Sequence, residues 1–251
     1  MLVVMSADRG RTPLRKPSPW PFSRERAFLP VIHLPYGESG AFVAIDVAIE
    51  AGADGVFLIN QGMSATGVLR LLPELTQRYP DLWVGVNLLG QSPDQILGLS
   101  EARQMAGIWA DDAGVSPGED KWAELAESDW LAARERSGYR GLYFGGVAFK
   151  TQAEVEPAAL PWVAQTAARF IDVVTTSGRA TGVAVRVEKV RIMREALGDH
   201  RLAVASGVSP DNVEEILPYV DAYLVASGIE REFGVLDPVR TKALADKIHG
   251  N

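Results

Sequence analysis

The sequence contains no cysteine. Disulfides, thiolate nucleophiles and Cys-ligated zinc or iron–sulfur centres are therefore excluded. Histidine is nearly as scarce, with three in 251 residues, at His33, His200 and His249. No apolar run approaches the roughly 18 residues of a membrane-spanning helix. The opening Met1-Leu2-Val3-Val4-Met5 is too short for a signal-peptide apolar region and follows no basic stretch, so the expected location is the cytoplasm. Neither GxGxxG nor GxxxxGK[ST] follows any candidate strand, which removes the common nucleotide-binding loops, and no cofactor is indicated. No pair of metal ligands sits at helical spacing, and no metal site is expected.

Positive charge is also in short supply, except at one end. Six basic residues in 1–26 stand against Asp8 and Glu25, giving +4; the whole chain carries −7, so residues 27–251 carry −11. An acidic body repels polyanions, which makes nucleic acid an unfavoured partner. The arm, 1–26, holds Pro13, Pro17, Pro19 and Pro21 and reads as a poorly ordered leader or a cover for the bottom of the following domain.

Residues 27–251 repeat one theme, a short apolar or β-branched run followed by a helical stretch. Strand candidates are 28–34, 55–60, 83–89, 107–113, 141–147, 172–177, 202–207 and 222–227. Helix candidates lie near 41–51, 67–79, 93–105, 119–137, 157–169, 186–197, 210–217 and 238–248. Eight alternating βα units at this length point to a single (β/α)8 TIM barrel with parallel strands and right-handed crossovers.

In such a barrel the chemistry sits at the carboxyl ends of the strands. The polar residues there include His33, Asn60, Asn87, Asp111, Asp112, Lys150, Ser177, Ser206 and Ser227, whereas His200 and His249 fall away from the mouth. The last three loops pair glycine with hydroxyl residues: Ser177-Gly178, Ser206-Gly207-Val208 and Ala226-Ser227-Gly228. Glycine lets backbone N–H groups close on an anion, hydroxyls add donors, and a following helix N-terminus favours a phosphate. Ser209-Pro210 reads equally as the start of a helix. Lys150 suits pairing with a substrate carboxylate or phosphate, or Schiff-base formation in a dry pocket, and is equally consistent with a solvated loop lysine. Asp111 and Asp112 alternate in direction, so one points inward as a candidate general base. His33 is a candidate acid or base, or a structural hydrogen-bond donor. Asn60 and Asn87 suit orienting bonds to a ligand.

The stretch 202–237, LAVASGVSPDNVEEILPYVDAYLVASGIEREFGVLD, resembles the C-terminal quarter of the ribulose-phosphate-binding barrels, phosphoribosylanthranilate isomerase among them. Over residues 28–248 the chain is more similar to the BtpA family, named for a photosystem I biogenesis factor. The matching pieces are Val31-Ile32-His33-Leu34-Pro35, Gly52-Ala53-Asp54-Gly55, Val84-Gly85-Val86-Asn87, Lys150, Ser177-Gly178, Ala180-Thr181-Gly182, and Ser206-Gly207-Val208 with Asn212. The isomerase resemblance implies a cysteine general base after the first strand, where this chain has His33-Leu34-Pro35, so that activity is rejected. Against the BtpA pattern, Ile59 replaces an acidic residue and Gly90 a basic one, while Gly146 and Ala148 replace the acidic and aromatic-polar residues leading to Lys150. Asp111 and Asp112 are placed to compensate.

The expected function is an enzyme of the isomerase, lyase or transferase class acting on a phosphorylated, phosphosugar-like small molecule. The replacements keep a second reading open, a non-catalytic binding or assembly factor that retains the phosphate pocket. Self-association into a homo-oligomer is left open.

The arm gives a first prediction. Ordering a backbone opposes folding by about 1–2 kcal/mol per residue, and residues 1–18 offer little apolar surface to offset it. Deleting 1–18 should leave the melting temperature unchanged. Deleting 1–26 also removes Trp20 and Phe22 and should lower it modestly, both measured by circular dichroism; unfolding on loss of 1–18 alone would make the arm integral to the domain.

Overall fold

The computed structural model describes residues 19–251. Eight parallel strands form a closed barrel: β1 (Ala27–Ile32), β2 (Gly55–Ile59), β3 (Trp83–Asn87), β4 (Gly107–Ala110), β5 (Leu142–Gly146), β6 (Val173–Thr176), β7 (Arg201–Ala205) and β8 (Ala222–Val225). Each pairs with the next, and β8 returns to β1 with Ala27 opposite Ala222. Seven α-helices pack outside: α1 (Gly37–Ala51), α2 (Ala65–Arg78), α3 (Pro93–Leu97), α4 (Asp120–Ser137), α5 (Leu160–Ala167), α6 (Val187–Leu197) and α7 (Pro238–His249). This is the (β/α)8 TIM barrel, with a short antiparallel hairpin, β9 (Glu230–Glu232) and β10 (Val235–Leu236), inserted between β8 and α7. No helix among the described residues is long and apolar enough to cross a membrane.

Two expected helices are corrected. Segment 210–217 forms only a 3₁₀ turn at Val213–Glu215. There the Asn212 side chain accepts from the Ser209 N–H and donates to the Gly207 carbonyl, while Pro218 biases Leu217 away from helical geometry. Segment 93–105 divides into α3 and a 3₁₀ helix, Ser100–Gln104, with Gly98 at the break.

Strand alternation divides the apolar residues between two cores. Val56, Leu58, Val84, Val86, Ile108, Tyr143, Val174, Leu202 and Val204 face the helices, where α2 returns Val68, Leu71, Leu72 and Leu75 on one face. Leu29, Val31, Phe57, Ile59, Trp109, Leu142, Phe144, Val173, Ala203, Ala205, Ala222 and Leu224 fill the lumen. The lumen is packed unevenly: β2 to β5 supply large rings, and β7 and β8 mostly supply alanine. Phe57 is the hub, with edge-to-face contacts to Phe144 at 5.1 Å, Trp83 at 5.2 Å and Trp109 at 5.7 Å between ring centroids.

At the bottom of the barrel Phe22 lies 5.2 Å from Trp83 and 4.9 Å from Trp20, whose ring is covered in turn by the Arg201 guanidinium. Asp54 ties this end together, accepting from Arg24, from the Phe28 N–H and from His249 at 2.8 Å each. Burial alone would push its carboxyl up, but these hydrogen bonds outweigh that and hold it below the usual carboxylate range.

The ring cluster requires glycine beside it. A Cβ on Gly85 would lie 2.4 Å from the Phe57 ring, far inside van der Waals contact. Gly85→Ala should therefore lose about 2–3 kcal/mol in urea unfolding. Phe57→Leu makes room, so the Gly85→Ala/Phe57→Leu double variant should be more stable than the sum of the two single losses; simple additivity would show that the contact does not limit packing.

Candidate functional site

The lumen-facing series of each strand, continued upward, brings His33, Asn87, Asp111, Gly207 and Gly228 to the carboxyl-terminal mouth, which is formed by the loops after β1, β3, β4, β7 and β8. The last loops, here loops 6, 7 and 8 after β6, β7 and β8, are stacked backbone on backbone. A Cβ on Gly207 would lie 2.1 Å from the Val183 carbonyl oxygen, one on Gly178 also 2.1 Å from it, and one on Gly228 1.8 Å from the Val208 carbonyl oxygen. Ser206 and Gly207 both adopt positive φ, 74° and 72°, and the Ser206 hydroxyl accepts the Gly182 N–H at 3.2 Å, which pins loop 6 to loop 7. Arg240, in the first turn of α7, joins loop 8 to loop 7 by donating to the Gly228 carbonyl and to Asp211.

This stacking leaves a set of donors. Among the described residues, the backbone N–H groups of Gly207, Val208, Ser227 and Gly228 have no protein acceptor, although Val208 is only 1% exposed. Val208 is the buried member of the set, with Gly207 and Gly228 half-buried and Ser227 exposed, and a buried backbone N–H is rarely left without a partner. The four lie on two adjacent loops that converge at the mouth, an arrangement suited to several oxygens of one anion.

The hydroxyl candidates serve the fold. Ser177 is fully buried, accepts the Lys150 N–H at 2.8 Å and donates to the Gly178 carbonyl at 2.9 Å. Asn60 holds loops 2 and 3 together, accepting from the Leu89 N–H at 2.6 Å and donating to its carbonyl. Ala226 and Ser227 carry loop 8 away from β8, and the turn closes when Ile229 and Glu230 donate to the Ala226 carbonyl.

Asp111 and Asp112 both lie beyond the end of β4 and diverge. Asp112 is exposed and accepts from the Gly114 N–H and from Gln152. Asp111 turns inward, where the buried Asn87 amide donates to it at 2.9 Å. Burial pushes the Asp111 carboxyl up; the Asn87 hydrogen bond and the charge of Lys150 pull against this without cancelling it. Gly146 is what admits this loop: a Cβ there would lie 2.0 Å from the Asp111 carbonyl oxygen. A side chain on β5 and the present course of loop 4 exclude each other.

His33 is brought to a partner 197 residues away. Its Nδ1 is 2.7 Å from Glu230 Oε1, which also accepts the Gly234 N–H, and the Phe233 ring lies 4.6 Å from the imidazole. Both side chains of the pair are largely buried, at 12% and 7% exposed. Lys150 lines a cavity of about 450 Å³ between loops 5 and 6, to which His33 contributes nothing. That cavity also contains Lys189, whose Nζ donates to the carbonyls of Ala148 and Ser177. Burial, and then the charge of Arg186, lower the Lys189 ammonium to about 8.

Glu230, Phe233, Lys189 and Arg240 were not singled out by the sequence. Glu230 and Phe233 lie in a charged stretch resembling a surface loop, and Lys189 and Arg240 have the spacing of helix-surface cations. The one available signal was the length of the segment between Ser227 and α7. Among the described residues no group of three His, Asp or Glu side chains converges to hold a metal.

The buried carboxyl yields a pH test. A carboxyl with a raised folded-state pKa disfavours the folded state at neutral pH, and stability is regained as pH falls through that pKa. Asp111→Asn keeps an acceptor for Asn87 without the charge. The variant should be more stable than wild type near pH 7 in urea titrations, with the difference shrinking as the pH falls through the raised Asp111 pKa. A variant less stable at pH 7 would show that the charge is needed for folding.

Residues 150–250 match the BtpA family. This stretch contains Lys150, loops 6 to 8 and the hairpin over His33. Comparison with curated proteins gives no match. Among solved structures, phosphoribosyl anthranilate isomerase from Thermotoga maritima aligns with a TM-score of 0.60 at 17% identity, covering 90% of this chain and 100% of that one. (S)-3-O-geranylgeranylglyceryl phosphate synthase from Thermoplasma acidophilum, solved with sn-glycerol-1-phosphate, aligns at 0.64 and 14% identity, covering 91% and 95%. At such identities the likeness is one of fold. The chain thus shares the (β/α)8 barrel fold of these enzymes and, over residues 150–250, is similar to the BtpA family.

Proposed function

We propose that this protein is an enzyme of the isomerase, lyase or transferase class acting on a phosphorylated, phosphosugar-like small molecule held at the barrel mouth. The observation carrying this reading is the set of four backbone N–H groups, at Gly207, Val208, Ser227 and Gly228, without acceptors among the described residues. A phosphate group supplies enough oxygens for all four, and charge-assisted bonds are about twice as strong as neutral ones. The synthase of similar fold was solved with a phosphorylated substrate, which supports the same ligand class.

Asp111 and Lys150 supply acid–base chemistry near loop 5. Burial keeps the Asp111 carboxyl closer to the working pH than an exposed aspartate, so it can both take and return a proton. His33, with Nδ1–H donating to Glu230, presents Nε2 as an acceptor in its neutral form. The non-catalytic reading draws on Gly146 and Ala148, which leave the approach to Lys150 without polar side chains of their own.

Amide NMR separates these possibilities. Titration with inorganic phosphate should move the Gly207, Val208, Ser227 and Gly228 resonances saturably and leave Asp54, at the opposite end, in place. Four unmoved amides would overturn the phosphate site. With a ketose phosphate such as ribulose 5-phosphate in D₂O, the enzyme reading expects deuterium to enter the carbon beside the carbonyl, and Asp111→Asn to abolish this. Saturable binding without exchange on any of a panel of ketose and aldose phosphates would favour the binding-factor reading.

A further inference from the structure

The cavity between loops 5 and 6 lies outside the four-amide cluster, and of its charged lining the proposed function uses Lys150 alone. Its charged lining is strongly one-sided: Lys150, Arg179, Arg186 and Lys189 against Glu154 alone. Glu154 is engaged by Arg186 at 3.1 Å on the exposed rim. Lys189 projects inward from the first turn of α6 and, among the described residues, donates only to carbonyl oxygens, those of Ala148 and Ser177, with no carboxylate bonded to it. An ammonium has three N–H donors, so one remains. A half-buried cation without an anionic partner is a costly arrangement, and a stable fold has no need of it. The loop is also strained in its favour: Ala148 sits at φ 46°, and the carbonyl it presents is fixed by Thr176 as well as by Lys189. Phe149, Val155 and Val183 give the same cavity an apolar side.

We propose that this cavity is a second anion subsite, in which Lys189, assisted by Arg179 and Arg186, receives a carboxylate or second phosphate borne on a short carbon stem. The inference rests on the phosphate reading for the first anion and narrows the substrate class to molecules with two anionic groups, such as a phosphorylated carboxylic acid. Loop 6 lies between the two positions, with Val183 lining the cavity on one side and its carbonyl against Gly207 on the other. One ligand holding both would bridge the same loop.

The test reads Lys189 directly, by acetylation rate across a pH series with peptide mass spectrometry on the full-length protein. The probes are inorganic phosphate, malonate and 3-phosphoglycerate. The charges facing Lys189 are Arg186 and Glu154, with Lys150 and Arg179 on the same walls. An anion beside an ammonium favours its charged form, and an opposite charge within about 4–6 Å raises such a pKa by roughly a unit or more. One unit corresponds to about tenfold slower acetylation at a pH below both values, and to about tenfold tighter anion binding to the ammonium than to the amine. Malonate and 3-phosphoglycerate should therefore slow Lys189 acetylation about tenfold, and leave exposed Lys121 unaffected. Arg179→Gln/Arg186→Gln, confined to exposed side chains, should weaken this protection at an unchanged melting temperature; Lys189→Arg should retain malonate binding and Lys189→Met lose it. Phosphate alone protecting Lys189 would place the second anion as phosphate; malonate alone would place it as carboxylate. If no probe protects Lys189 while the Gly207 and Gly228 amides still respond to phosphate, the subsite is overturned and the phosphate reading stands. If neither responds, both fall.

Discussion

Phe57 occupies the centre of a barrel whose strands are only four to six residues long, and closure depends on that lumen being full. Voids inside a packed core forfeit dispersion contacts on every lining atom. The solution here is asymmetric. Rings from β2 to β5 cross the axis, Gly85 recedes to receive the Phe57 ring, and Ala203, Ala205 and Ala222 oppose them from β7 and β8. These rings fill the lower and middle layers, and Asn87, Asp111 and His33 stand in the layer above. Asn87, Asp111 and His33 thus lie on a hydrophobic floor, where a carboxyl is desolvated on one side and a histidine needs a partner such as Glu230.

Above that floor the organising contact changes from side chain against side chain to backbone against backbone. Loops 4, 6 and 7 each lie over a glycine: Gly146 under loop 4, Gly178 and Gly207 under the Val183 carbonyl of loop 6, and Gly228 under the Val208 carbonyl of loop 7. Glycine at the ends of loops 6 to 8 therefore has two consequences at once. It permits the loops to stack, and the stacked loops leave the N–H groups of Gly207, Val208, Ser227 and Gly228 without acceptors among the described residues. Tight turns and anion binding are two results of one geometry at these positions, which is why the sequence alone left both readings open.

What was legible in the sequence follows from locality. Short apolar or β-branched runs mark all eight strands, and Gly/Ser pairs at strand ends mark the mouth. Segment 210–217 read as a helix because its composition favours one, but the Asn212 side chain and Pro218 decide otherwise at a range the pattern does not register. The His33–Glu230 pair joins residues 197 apart, and no local signal connects them. Asp111 and Asp112 are indistinguishable by neighbour and composition; only the meeting of loop 4 with β3 and β5 makes one buried and the other exposed. Lys189 has the spacing of a solvent-facing helix residue until loop 5 folds over α6.

These non-local pairings bear on whether the barrel works or merely binds. A scaffold selected only for stability would place Asp111 in water and give Lys189 a carboxylate, since a desolvated charge opposes folding. Both groups instead sit where burial shifts their titration toward neutrality, Asp111 upward and Lys189 downward to about 8. Asp111 lies on loop 4 and Lys189 in the first turn of α6, with Lys150 contributing charge to one and cavity lining to the other. Groups with shifted titration concentrate at functional sites, which favours the proposed enzyme over a passive phosphate sensor, for which the four amides alone would suffice. The position of Gly146 fits this too: the side chain absent from β5 makes room for loop 4 to carry Asp111 inward, so an apparent loss along the strand coincides with an acid delivered from its neighbour.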